Sequence, residues 1–156
     1  MRLRYNLRVY PTPGQQQSLA RALGCARVVF NDGLRARRQA RAEGRPYLTD
    51  AELSRRVTAA KATPERAWLS GVSSVVLQQA LAELNTAYRN FFTSITGKRK
   101  GKVAPPRSRS RKDNRHAIRF TKNSRFAVLG NGRLRLPKIG TWRSAGPGPC
   151  RPSRRR

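Results

Sequence analysis

Residues 71–92, GVSSVVLQQALAELNTAYRNFF, constrain the fold more than any other stretch. Leu77, Leu81, Leu84, Tyr88 and Phe91 recur at alternating steps of four and three, which lines them along one face of an α-helix that other elements must cover. Ser73 or Ser74 is the expected N-cap, and Gly97 lies just past the expected end. The opposite face carries Gln78, Gln79, Asn85, Arg89 and Asn90. A carboxamide sets a donor beside an acceptor, which is what reading a base edge requires, Asn or Gln on adenine being the usual pairing. A core helix whose outer face is merely polar accounts for the same residues.

The chain before it supplies the covering elements. Leu3, Tyr5, Leu7 and Val9 alternate with Arg2, Arg4, Asn6 and Arg8, the period of a half-buried strand, and Pro11 ends it. Thr12-Pro13-Gly14-Gln15 then opens a helix, with threonine as N-cap, proline at the first helical position and glutamine closing a capping box. Its apolar stripe is Leu19, Ala22 and Leu23, and Gly24 suits a C-terminal stop. A second helix is expected from about Ala26 to Ala42, with Val28, Val29, Phe30 and Leu34 inward and Arg35, Arg37, Arg38 and Arg41 displayed. Helix, glycine turn and arginine-bearing helix together look like a helix-turn-helix, although any αα-hairpin shares the first features. Thr49-Asp50-Ala51-Glu52 is another capping box, opening a short helix with Leu53, Val57 and Ala60 inward, and Pro64 ends it. Trp68-Leu69 precedes the long amphipathic helix, where an aromatic is expected to pack as core.

Charge decides what such a chain meets. It has 156 residues and a net charge of +28, with 35 Lys plus Arg against 7 Asp plus Glu. A field of that size calls for a polyanion, so nucleic acid is the expected partner. The excess is uneven: residues 1–92 hold 15 basic and 6 acidic side chains, while 93–156 hold 20 and 1. Within 97–115, GKRKGKVAPPRSRSRKDNR, nine basic residues stand against Asp113 alone. With almost nothing apolar to bury, that stretch is expected to be disordered or moulded to an anion, as a solvated linker or a phosphate-tracking arm. Strands are expected at Ala117–Phe120, Phe126–Leu129 and Arg133–Leu136, the last two joined by a turn at Gly130-Asn131-Gly132, with Leu134 and Leu136 facing Phe126 and Val128. From Trp142 the pattern collapses into WRSAGPGPCRPSRRR, which resembles out-of-frame translation. Cys25 and Cys150 stand far apart in no C-x-x-C pair, so neither a zinc site nor any other metal or cofactor is expected. No stretch approaches a membrane span or a signal peptide, and the protein is expected in the cytoplasm, associated with the nucleoid.

Several stretches together resemble the N-terminal half of the TnpB (OrfB) proteins of insertion sequences, relatives of type V CRISPR effector nucleases. They are Tyr5–Pro13 with Gln15, Gly24–Asn31, Trp68-Leu69, Ser73-Ser74 with Leu77–Leu81, Ala87–Phe92, Pro106–Arg109, Ile118–Thr121 and Leu136–Gly140. One departure is local: the proline-basic-serine motif lacks its usual aromatic. The resemblance implies an α+β fold, with a helical recognition region of about four helices inserted into a small β-barrel-like wedge domain. The expected divisions are a first wedge strand (1–11), the helical region (12–96), a basic linker (97–116), the wedge hairpin (117–141) and a disordered tail (142–156). In the family this half grips a guide RNA and the short DNA motif beside the target, and the helix at Leu77–Leu81 corresponds to a region facing that duplex. The family's cleavage chemistry lies in an RNase H-like domain whose clustered acids hold metal ions, and the seven acids here form no such series.

The expected reading is therefore a truncated, transposon-encoded nucleic-acid-binding protein without catalysis, a frameshift or early stop being the simplest account. A helix-turn-helix regulator and an inactive fragment of a transposase gene are the alternatives. RNA and DNA are the expected partners, with a full-length relative or a separately encoded nuclease domain as a further one. The expected contacts are Arg35, Arg38 and Arg41; Gln78, Gln79, Asn85 and Arg89; and Lys98, Arg99, Lys100, Lys102, Arg107, Arg109, Arg111 and Lys112.

Overall fold

The computed structural model describes residues 8–113 and 116–143. Most of the expected first strand, the tail beyond Arg143 and Cys150 lie outside the described residues.

The order of elements is α1 (Pro13–Ala42), α2 (Asp50–Ala62), a short 3₁₀ turn (Ala67–Gly71), α3 (Ser74–Ile95), and then β1 (Ala127–Leu129), β2 (Arg133–Leu136) and β3 (Gly140–Arg143). The expected α+β class holds, with three α-helices among the described residues where four were expected. The strands form an open antiparallel sheet in the order β1-β2-β3. The expected barrel does not close among the described residues.

The missing fourth helix is explained at Gly24. The stop expected there does not occur, and α1 runs unbroken through 30 residues, about 45 Å at 1.5 Å per residue. A mid-helix glycine costs only about 1 kcal/mol against alanine. Across it, Ala22, Cys25, Ala26, Val29, Phe30 and Leu34 form one buried stripe, and each large side chain so buried contributes about 1.5–3 kcal/mol. Continuing the helix therefore outweighs stopping it. The start is as expected: Gln15 N–H donates to Thr12 Oγ1 and Thr12 N–H to Gln15 Oε1. α2 opens with the same reciprocal pair between Thr49 and Glu52.

α3 is the hub. Leu77 and Leu84 are wholly buried, with Val76, Ala80 and Leu81 beside them. It crosses α1 closely at Gly33, where a β-carbon would lie 2.9 Å from Leu84 Cδ2. Ser73 is its N-cap without a side-chain bond, and Gly97 follows the C-terminal turn at φ +72°, the left-handed conformation glycine adopts without strain.

The sheet borrows this core rather than owning one. Ile139 and Trp142 are buried against the helices, and Gln15 Nε2 donates to the Thr141 carbonyl at 2.7 Å. One glutamine thus caps α1 and fastens β3. Val128 pairs with Leu134 as expected. Two expectations fail here. Residues 117–120 form no strand, because Ile118 and Phe120 pack singly against the helical core. The break expected at Trp142 falls inside β3, where Trp142 pairs with Leu134 and is 4% exposed. An indole of that size stabilises a strand that period alone does not reveal. Trp68 is 43% exposed rather than core, while its neighbour Leu69 is buried. No helix among the described residues is long and apolar enough to cross a membrane.

Candidate nucleic-acid interface

Helical geometry splits the amide-rich face of α3 into two rows. Gln78, Asn85 and Arg89 run along the side of α2, and Gln79, Glu83 and Asn90 run along the side of the basic segment. Gln78 Nε2 donates to Ser54 Oγ on α2 at 2.9 Å. Asn90 Oδ1 accepts from the Arg99 guanidinium at 2.9 Å. Gln79 has no side-chain hydrogen bond among the described residues. The carboxamides are therefore not one open reading surface: Gln78 and Asn90 are engaged by neighbours, and Ala82 and Thr86 stand exposed between the rows.

The basic segment 97–113 was expected to need an anion for order, yet it is docked on the helices. Asn31 on α1 clamps its backbone, donating Nδ2–H to the Arg109 carbonyl at 3.0 Å and accepting the Arg109 N–H at 2.8 Å. Arg38 donates to the Pro106 carbonyl at 2.7 Å, and Pro106 is buried. Ser94 Oγ donates to the Gly101 carbonyl and accepts the Val103 N–H. Backbone polar groups unmet by secondary structure are thus met by side chains of α1 and α3. The Arg109 guanidinium lies 3.9 Å from the Phe30 ring centroid and pairs with Glu83 at 2.7 Å.

These contacts sort the expected binding residues. Arg109 is a strut between segment and helices, with its guanidinium committed internally. Lys98, Lys100, Lys102, Arg107, Arg111 and Lys112 are exposed and form no ion pair among the described residues. On α1, Arg41 is exposed, Arg35 pairs with Asp32 at 73% side-chain exposure, and Arg38 holds Pro106. Arg37, expected on display with them, is turned inward. It is 3% exposed and donates to the Leu48 carbonyl at 3.1 Å and to Asp50 Oδ1 at 3.0 Å. The reason is register: it shares the inward stripe with Leu34 and Ala40.

Five of the seven acids serve the fold. Asp32 meets Arg35 and Arg66, Glu43 meets Arg45, Asp50 meets Arg37, and Glu83 meets Arg109. Hydrogen bonds from Gln39 and then Arg45 hold the Glu43 carboxyl below its ordinary pKa. The Thr49 N–H does the same for Glu52. Burial raises the Cys25 thiol, against a smaller opposing effect of Arg21, so the neutral form is favoured. Among the described residues, no three His, Cys, Asp or Glu side chains are grouped to hold a metal ion.

Asn31, Glu83 and Pro106 were missed as positioning residues by reasoning from the sequence. Asn31 and Pro106 do fall within stretches that carry the family resemblance, and that was the available signal.

Comparison with known proteins bears on this arrangement. Residues 1–46 match the family model described as a helix-turn-helix domain, of the OrfB type. That span takes in all of α1 and the start of the turn after it. A Streptomyces pristinaespiralis protein named as an RNA-guided DNA endonuclease is 38% identical over 134 residues, 86% of this chain and 31% of its own length. InsQ of Escherichia coli K12, similarly named, is 32% identical over 133 residues, 84% of this chain and 31% of its own length. The chain therefore spans about a third of the length of these curated relatives. The order of motifs, the domain match and both relatives agree, and the chain belongs to the TnpB (OrfB) family of insertion-sequence proteins, of which it holds the N-terminal part.

Proposed function

We propose that this chain is a nucleic-acid grip of a transposon-encoded TnpB-like system, holding a guide-type RNA, DNA beside a short target motif, or both, without cutting. The observation that carries this reading is the set of exposed cations Lys98, Lys100, Lys102, Arg107, Arg111 and Lys112, which form no ion pair among the described residues, on a segment held in place by Asn31, Arg38 and Ser94. A positioned row of cations tracks a phosphate backbone with less ordering cost than a free arm. The carboxamide of Gln79, which has no side-chain hydrogen bond among the described residues, is the base-reading part of the proposal. The commitment of Asp32, Glu43, Asp50, Glu52 and Glu83 to caps and ion pairs supports leaving cleavage to another polypeptide, either a full-length relative or a separate nuclease domain.

The test is to purify the chain through a high-salt wash and sequence the nucleic acid that stays bound. One defined RNA species mapping beside the gene is the expected result, and a mixture following cellular abundance overturns the guide reading. Affinity for that RNA or for duplex DNA should fall steeply with salt, by about 0.9 log units per log unit for each duplex phosphate contacted. Gln79→Ala should reduce sequence discrimination more than total affinity. The helix-turn-helix match favours a second reading, a duplex-binding regulator that needs no RNA. The unbroken α1 counts against it, since it offers no tight turn before a separate recognition helix.

A further inference from the structure

Beside the α2 edge of α3, three aromatic rings meet at the surface. Tyr47 and Tyr88 lie 6.0 Å apart, Tyr47 and Phe92 5.9 Å, and Tyr88 and Phe92 5.8 Å. Tyr47 is 50% exposed and Phe92 43%, so both keep ring surface in water that ordinary core packing would cover. The cluster is rigid from beneath. The Arg37 guanidinium lies 4.5 Å from the Tyr47 centroid and 5.1 Å from that of Tyr88. It is itself held by the Leu48 carbonyl and Asp50.

A groove of about 270 Å³ opens at these rings, lined by Tyr47, Asp50, Asn85, Arg89, Phe92 and Thr93. Its polar groups are unevenly satisfied. Arg89 is exposed and forms no ion pair among the described residues. Asn85 Oδ1 is buried with no hydrogen-bond partner. An unpartnered buried acceptor is a standing cost that a donor from outside removes.

We propose that this groove is a stacking site for one unpaired nucleobase of a single-stranded nucleic acid. The base stacks on Tyr47 or Phe92, Arg89 reaches the adjoining phosphate, and the acceptors Asn85 Oδ1 and Asp50 select a base with an exocyclic amine. Stacking on a preformed aromatic surface is open to every base, whereas a base within a duplex has both faces covered. The inference rests on the nucleic-acid reading above and adds to it a site that phosphate contacts do not supply.

The test uses the full chain with a short RNA carrying 2-aminopurine, single-stranded or paired in a duplex. On binding, the single strand should lose fluorescence as its base stacks. Tyr47→Leu should abolish that quenching and weaken single-strand binding roughly 5- to 100-fold, leaving duplex binding unchanged. Tyr47→Phe should behave as the parent. Phe92→Leu, at a ring not stacked over Arg37, gives the same readout if Tyr47→Leu fails to fold. A folded Tyr47→Leu or Phe92→Leu protein that binds and quenches like the parent overturns the site while leaving the nucleic-acid grip intact. Failure to bind either oligonucleotide overturns both. A lower oligomeric mass in Tyr47→Leu with unchanged RNA binding assigns the rings to a second copy of the chain and overturns the site.

Discussion

The helices and the chain that follows them are stabilised in different ways. Between Pro13 and Ile95, apolar side chains at helical spacing build a core from their own elements, and arginines that turn inward find acids or carbonyls waiting, as Arg37 finds Asp50 and Leu48. From 97 to 143 the chain buries little of its own. It is held by single anchors on the helices: Pro106 under Arg38, Arg109 between Phe30 and Glu83, and Ile139 and Trp142 in the helical core. The lesson is that a strongly basic, apolar-poor segment orders without an anion when a neighbouring helix presents side chains that meet its backbone groups. Its remaining cations are then free for a ligand.

The contrast predicts one cooperative unit with unequal dependence on its parts. Trp142→Ala should have the largest effect, lowering unfolding free energy by about 3 kcal/mol or more in a single transition followed by both helical circular dichroism and a sheet-side probe. Separate transitions would show that the sheet folds apart from the helices, and the comparison would break. Leu84→Ala serves as the helical counterpart, at about 2–5 kcal/mol.

A medium effect is expected at the strut. The Arg109–Glu83 pair is about one-third exposed, at 33% and 28%, so solvent screening limits Glu83→Gln to about 1 kcal/mol or less of global stability. The segment should nonetheless loosen, and trypsin should cut between residues 98 and 112 faster than in the parent. Unchanged cleavage would mean that Asn31 and Arg38 hold the segment by themselves.

The smallest effect is expected at the α2 cap. The Glu52 carboxyl is held below its ordinary pKa of 4.5 by the Thr49 N–H. A depressed folded-state value means the contribution is present above the unfolded pKa and is lost as pH falls through the folded one. Glu52→Gln, which keeps the hydrogen bond and removes the titration, should flatten the part of the acid-stability curve below about pH 4.5 that differs from parent. Identical curves for the two proteins would remove the cap from the pH response.

Local chemistry in the sequence determined a great deal. Both capping boxes, the buried stripe of α3, the Gly97 stop and the pairing of Val128 with Leu134 depend on residues within a few positions of one another, and period and cap identity carry them. The family itself was legible from short motifs in order. What only the tertiary structure decided is which polar groups are spent on the fold. Gly24 reads as a stop until the stripe on either side of it is buried on α3. Arg37 and Arg109 read like their exposed neighbours until Asp50, Glu83 and Phe30 come within reach. Trp142 reads as the start of a patternless tail until the helical core covers it. In each case the deciding partner lies far away in sequence, or its effect depends on burial, and neither burial nor long-range partnership is written in a residue's own neighbourhood.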